Sequence, residues 1–232
     1  MLLSQFTEFP ELTFTQQIKQ VHYTSTPALI RSLTRKRLTW NIPGRPDELF
    51  LTFDDGPVPE VTPEVLDILE NYSVKATFFC VGDNVRKHPD VYEAIRKAGH
   101  ATGNHTFHHL NGWKTPAAEY LSDIAQCRSM VESRLFRPPY GRIRPSVVKH
   151  LQFEYKIVMW SVLTGDYNRE LSPEQVLTNS IASTRSGSII VFHDSIKASP
   201  NMLFALPRFL DHFISKGFKF STIEAENRQQ KR

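Results

Sequence analysis

"ELFLTFDDGP", Glu48 to Pro57, is a short β-prone run that ends abruptly in two aspartates and a Gly-Pro turn. Leu49, Phe50, Leu51 and Phe53 put apolar side chains at both parities. That is the pattern of a strand covered on both faces, as strands of parallel sheets are. Asp54 and Asp55 then stand side by side at its end, where each carboxylate raises the other's pKa unless positive charge lies close. Two readings are open: a turn in which an aspartate caps the next helix, or a strand end that holds a cation.

Working outward, Thr62 reads as a helix cap with Pro63 at the first position, and Val65, Ile68, Leu69 and Tyr72 recur at helical spacing. "KATFFCVG" (Lys75 to Gly82) is the next strand. The helical stretch after it is interrupted at Pro89 and closed by Gly99. "HATGNH" is a third strand end, and Thr115-Pro116 opens a helix running through Leu121, Ile124 and Met130. "YKIVMWSV" (Tyr155 to Val162) and "GSIIVFHD" (Gly187 to Asp194) are further strands. They are separated by a helix whose start, Ser172-Pro173 with Gln175, reads as a capping box. A last helix covers Leu203 to Ile214, and "FKFSTI" finishes the domain. Alternating strand and helix with apolar strands predicts an α/β fold: a mainly parallel sheet, open or closed into a barrel, with helices outside it. Residues 1–48 are expected to be an N-terminal extension packed on this domain, 49–223 the domain itself, and 224–232 a frayed tail.

Composition excludes several classes of function. Lys+Arg 28 against Asp+Glu 24 gives a formal net charge of +4, with no interleaved basic and aromatic stripe, so no nucleic-acid partner is expected. The two cysteines, Cys80 and Cys127, lack any CxxC-type spacing, so neither a disulfide framework nor thiolate zinc is implied. Any metal must be held by histidine and carboxylate. No run approaches the roughly 18 apolar residues of a membrane span. Glu8 and Glu11 interrupt the N-terminal segment before a signal-type apolar stretch builds up. A cytoplasmic protein is the expectation, with the basic amphipathic stretch Thr26 to Trp40 read as a helix packed on the outside of the domain. Oligomeric state is not legible.

Polar residues gather at the ends of the expected strands: Asp54 and Asp55, the histidines of "GNHTFHHL" (Gly103 to Leu110), Asp166, and His193 with Asp194. In parallel α/β folds, that edge is where active sites form. On a helical turn His105 could share a face with His108 or with His109, and spacing alone leaves both open. Two such histidines and a carboxylate would make a metal site with positions open to water, suited to metal-assisted hydrolysis.

Five stretches in order, "TFDDGP" (Thr52 to Pro57), "HTFHH" (His105 to His109), "FRPPYG" (Phe136 to Gly141), "WSVLTGDY" (Trp160 to Tyr167) and "IIVFHD" (Ile189 to Asp194), resemble the motifs of the polysaccharide deacetylase family, carbohydrate esterase family four. The resemblance spans about Leu49 to Ile223. It implies a distorted (β/α) barrel that hydrolyses N-acetyl groups, or sometimes O-acetyl esters, on sugar polymers such as peptidoglycan or chitin. By resemblance the metal ligands are Asp55, His105 and His109, holding a divalent ion with zinc the expected one, and His108 falls at a variable rim position. Asp54 would be the general base on a metal-bound water and Arg137 the residue holding it. Tyr140 would contribute its backbone N–H to the oxyanion. His193 would be the general acid, with Asp166 its partner. Thr106 would support the histidine motif through its side chain. Asp194 would support the His193 loop or cap the succeeding segment.

Two positions depart from the family's pattern: Tyr167 follows Asp166 where tryptophan is usual, and Phe192 precedes His193 where leucine is usual. By resemblance both belong to the pocket for the acetyl methyl. Trp160 belongs either there or in the core. These departures bear on substrate preference and leave open an O-acetyl esterase or a non-sugar amidase on the same fold. A catalytically silent saccharide-binding protein is a separate alternative, against which the intact set of Asp54, Asp55, His105, His109, Arg137 and His193 argues.

Overall fold

Alternate residues of β2 (Glu48–Asp54) serve two different cores. In the computed structural model, which describes residues 32–44 and 46–225, Leu49, Leu51 and Phe53 pack outward. Phe50 belongs to an inner cluster with Phe79, Leu135, Val158, Ile189 and Ile223. Both parities are apolar because both faces are covered, which is why the sequence of this strand shows no polar alternation.

Around β2 lie β1 (Leu38–Thr39), β3 (Thr77–Cys80), β4 (Ala101–Asn104), β5 (Leu135–Phe136), β6 (Lys156–Val158), β7 (Val162–Leu163), β8 (Ile189–His193) and β9 (Lys219–Phe220). The sheet order is β1-β6-β5-β4-β3-β2-β8-β7, with β9 paired to the start of β2. Every strand pairing is parallel. An antiparallel bridge between Asn41, just past β1, and Ser188, just before β8, links the first strand of the strip to the last but one. The result is the expected distorted (β/α) barrel with helices outside it. These are α1 (Thr62–Asn71), α2 (Gly82–Lys87), α3 (Pro89–Lys97), α4 (Ala117–Arg128), α5 (Pro145–Leu151), α6 (Pro173–Ser183) and α7 (Ser199–Ile214).

Local signals place most helix ends. Pro89 separates α2 from α3 and sits at the start of the second, where its missing N–H costs nothing. Ser172 and Gln175 form the capping box at α6, each side chain accepting from the other's backbone N–H. Helix α7 buries Met202, Leu206, Phe209, Leu210 and Phe213, one face at helical spacing, against the outward residues of β2 and β8.

Several expectations need correction. Thr62 is not a cap: Val61 occupies that position, and the Thr62 hydroxyl instead accepts from Val58 N–H and donates to Asp194. Tyr155 to Val162 is not one strand. Its first half, β6, pairs with β5 and β1, while its second half, β7, pairs with β8 at the other end of the strip. Residues 159–161 cross between them, with Met159 N–H donating to Thr39 O and Ser161 N–H to Ile189 O. β-Propensity records that a segment is extended but not which neighbour it pairs with. Helix α4 ends at Arg128, short of Met130, and α7 begins at Ser199, before Leu203. The readings made on residues 1–31 and 226–232 lie outside the described residues. Among the described residues no helix is long and apolar enough to cross a membrane.

Candidate active site

Strand register brings the first and last motifs together. Asp54 and His193 are direct partners at the C-terminal ends of β2 and β8, so both side chains leave the same face of the sheet. That face is the inner one, because Phe50 and Ile189 share their parity and sit in the inner cluster. Phe192 has the opposite parity. It is fully buried in the outer core against Phe53 and Phe209, with ring centroids 6.2 Å and 5.9 Å away. The expected place of Phe192 in an acetyl pocket is therefore corrected: counting back by two from His193, the apolar residue facing the site is Val191.

Past β2 the chain turns sharply. Asp55 adopts φ 82, in the left-handed region that Asp enters more readily than most residues. The turn is fastened by Asp194, whose carboxylate accepts from Gly56 N–H at 3.1 Å and from the Thr62 hydroxyl at 2.7 Å. Gly56 is required by proximity: a Cβ there would lie 2.0 Å from Asp194 Oδ2. Asp194 thus supports the Asp54-Asp55 turn and caps no helix. Burial is the main reason its carboxyl pKa is raised, to about 8, against the hydrogen bonds that lower it.

The histidine motif is a loop. Thr106 and His109 have φ 63 and 55, so the helical-turn geometry behind the spacing argument does not apply. Asn104 Oδ1 accepts from Thr106 N–H, and the Thr106 hydroxyl accepts from Leu110 N–H, as expected of a side chain supporting this motif. Buried Asp123 of α4 accepts from the N–H groups of Phe107 and His108 and lies 2.5 Å from His108 Nδ1. His108 is turned outward onto Asp123, and His105 and His109 are turned to Asp55. His109 Nε2 is 3.1 Å and His105 Nε2 3.7 Å from Asp55 Oδ1. One ligand atom from each of the three lies within 4.8 Å of the others.

This donor set fits a divalent cation. Burial is the main cause that lowers the His105 pKa, to about 4, so its imidazole is neutral. Its Nδ1 lies 2.8 Å from Arg137 O; with a proton there, the Nε2 lone pair is free for a metal. Asp55 loses stability as an anion through burial. The His109 hydrogen bond and the positive charge of His193 more than offset this, so its pKa falls below the ordinary carboxylate range.

Arg137 is fully buried at the end of β5. Its guanidinium donates to Asp54 Oδ1 at 2.6 Å, to the Thr52 hydroxyl at 2.8 Å and to Met159 O at 3.1 Å, and it lies 4.1 Å from the centre of the Phe79 ring. Opposite, His193 Nδ1 lies 2.8 Å from Asp166 Oδ1, and Asp166 Oδ2 accepts from His193 N–H. Burial depresses the imidazolium, but the charge and hydrogen bond of Asp166, with smaller help from Asp55 and Asp54, prevail and raise the His193 pKa to about 9. A carboxylate placed to accept a proton and an imidazolium placed to donate one thus lie on the same face of the sheet, beside the Asp55, His105 and His109 cluster.

Two tyrosines flank these groups. Tyr140, at φ 60, sets its ring 4.7 Å from His109, and Tyr167 meets His193 edge-on at 5.0 Å. Trp160 is half-buried, 6.0 Å from the Arg137 guanidinium and packed over Gly141. A cavity of about 960 Å³ beside β1, bordered by Arg35, Lys36 and Trp40, shares none of these residues. Asp123, Asn104 and Thr52 escaped the sequence reading because each acts through a contact distant in sequence or through backbone.

Fold and site together define a (β/α)-barrel enzyme of the deacetylase class. Residues 41–156 match the polysaccharide deacetylase family, and the chain belongs to it. It is 32% identical over 194 residues to a peptidoglycan-N-acetylglucosamine deacetylase of Bacillus cereus, covering 80% of this chain and 91% of that protein. It is 34% identical over 154 residues to a chitooligosaccharide deacetylase of Azorhizobium caulinodans, covering 63% and 73%. Among solved structures it resembles a peptidoglycan N-acetylglucosamine deacetylase in complex with 4-naphthalen-1-yl-N-oxidanyl-benzamide. That match has a TM-score of 0.79 and 32% identity and covers 85% of this chain and 95% of that one.

Proposed function

We propose that the protein is a metal-dependent hydrolase that removes N-acetyl groups from amino-sugar polymers or oligomers of the peptidoglycan or chitin type. The observation that carries this reading is the pairing of Asp54 with His193 across β2 and β8, beside the Asp55, His105 and His109 cluster. A divalent ion held by those three, zinc being the expected one, would supply Lewis acidity and lower the pKa of water toward neutrality.

The rest is done by the chain's own groups. Asp54, fixed by Arg137, takes the proton of the water that attacks the acetyl carbonyl carbon. The backbone N–H of Tyr140 stabilises the oxyanion that develops on the carbonyl oxygen. As the C–N bond breaks, His193 gives its proton to the nitrogen, so the sugar leaves as a neutral amine, and Asp166 steadies the imidazolium until then. Val191, Trp160 and Tyr167 border the space left for the methyl group.

Acetate release from N-acetylglucosamine oligomers and from peptidoglycan fragments, with zinc supplied, tests this reading. Acetate is expected from at least one, with turnover lost in Asp54→Asn while bound metal stays near wild type. No acetate from any N-acetylated amino sugar would overturn it.

A further inference from the structure

Two exposed cations each lie against an aromatic ring near the residues of the site. On the His109 side, Arg142, two residues along the chain from Tyr140, lies over the Trp113 ring at 5.4 Å, and Tyr140 itself meets His109. On the His193 side, Lys197 Nζ lies 5.7 Å from the ring of Tyr167, the tyrosine that meets His193. Arg142 and Lys197 are both exposed, and among the described residues neither has a carboxylate within ion-pair distance. Trp113 is 60% and Tyr140 59% exposed, so aromatic surface stands open on the His109 side, while Tyr167 on the His193 side is half-buried.

The acids of the site cannot neutralise these cations. Asp54 faces Arg137, Asp55 faces the two histidines, Asp166 faces His193, and Asp194 is fully buried beneath the turn. His108 is held by Asp123. A ligand approaching the site therefore meets, among the described residues, two positive charges without a carboxylate partner, each set on an aromatic ring. Rings of that kind offer a flat apolar face to a pyranose, and cations at a rim select for negative charge and speed encounter.

We infer that Arg142 and Lys197 are specificity-determining residues that select an amino-sugar chain bearing carboxylates, as peptidoglycan-type strands do, over a neutral chitin-type chain. The units flanking the reacting N-acetyl sugar present their carboxylates to the two cations, while Trp113 and Tyr167 carry the ring faces. This inference rests on the N-deacetylase reading above and names the substrate class of that same site.

The test is the ratio of kcat/KM for acetate release from two oligosaccharides of equal length, one carrying carboxylates on alternate sugars and one neutral. It is measured with the zinc-loaded full chain at low and at raised ionic strength, for wild type, Arg142→Gln, Lys197→Gln and the double variant. The ratio is expected to favour the carboxylated substrate in wild type and to fall with salt. It should also drop about 5-fold or more in the double variant, through KM rather than kcat. Unchanged melting temperature and metal content show that these surface substitutions leave the fold and the cluster intact. Acetate from both substrates with a ratio at or below one, or a ratio that the substitutions do not move, overturns this inference alone. No acetate from either substrate removes it together with the deacetylase reading.

Discussion

Arg137 and Asp54 form a buried ion pair, 2.6 Å between Nη1 and Oδ1, with the arginine fully excluded from solvent. The same guanidinium binds Thr52 of β2 and the carbonyl of Met159 on the segment that crosses between β6 and β7. One side chain thus orients Asp54, the proposed base, and ties the crossing segment to the barrel.

Arg137→Lys should keep the charge and lose the planar fork, since an ammonium cannot meet Asp54, Thr52 and Met159 in one arrangement. Expected outcomes are a kcat/KM for acetate release lower by about 100-fold and a lower melting temperature, with metal content little changed. Steady-state kinetics with metal analysis checks this; near-normal kcat/KM would show that Asp54 does not depend on its partner.

The two histidines at Asp55 and the third at Asp123 should separate cleanly. Metal analysis after reconstitution is expected to show affinity down by more than about 100-fold in His105→Ala and in His109→Ala. His108→Ala is expected to stay within about 3-fold of wild type, because its ring is turned to Asp123. Equal losses in all three variants would sink this ligand assignment.

How far the sequence carried this picture depends on which residues are asked. The double-sided apolar run before Asp54, the break at Pro89 and the Ser172 to Gln175 capping box are local signals, and the structure contains all three. The choice between His108 and His109 was not local. It turns on a loop with left-handed residues that is fastened by Asn104 and by Asp123, the second of them on the helix that follows it. The crossing at 159–161 was invisible because an extended segment carries no mark of its partner strand. The orientation of Phe192 was legible, since a period of two from His193 already sends it to the opposite face.

Asp166 should set the pH range in which His193 stays protonated. With the His193 pKa raised from 6.5 to about 9 in the folded protein, its stabilising contribution is complete below pH 6.5 and is lost as pH rises through about 9. Asp166→Asn removes the charge that raises it. The metal-free variant should then lose less stability than wild type between those pH values, and its His193 resonance should titrate at lower pH. In the loaded enzyme the alkaline limb of kcat/KM should move down by about one unit or more. Identical NMR titrations in the two proteins would remove Asp166 from this role.

Gly56 and Asp194 are a contact pair whose two members should fail differently. Asp194→Ala leaves the Gly56 N–H and the Thr62 hydroxyl without their buried acceptor, at a cost of about 2–3 kcal/mol. Gly56→Ala keeps the acceptor but drives a methyl to within 2.0 Å of Asp194 Oδ2, so the turn carrying Asp54 and Asp55 must move. Asp194→Asn, which retains one acceptor oxygen, should recover part of the stability lost in Asp194→Ala. Gly56→Ala in the wild-type background should weaken metal binding as well as stability, whereas combined with Asp194→Ala much of its steric cost should disappear. A double-mutant cycle on melting temperature and zinc affinity reads this coupling directly. Additive effects of the two substitutions would mean that the glycine is needed for some reason other than the approach of Asp194.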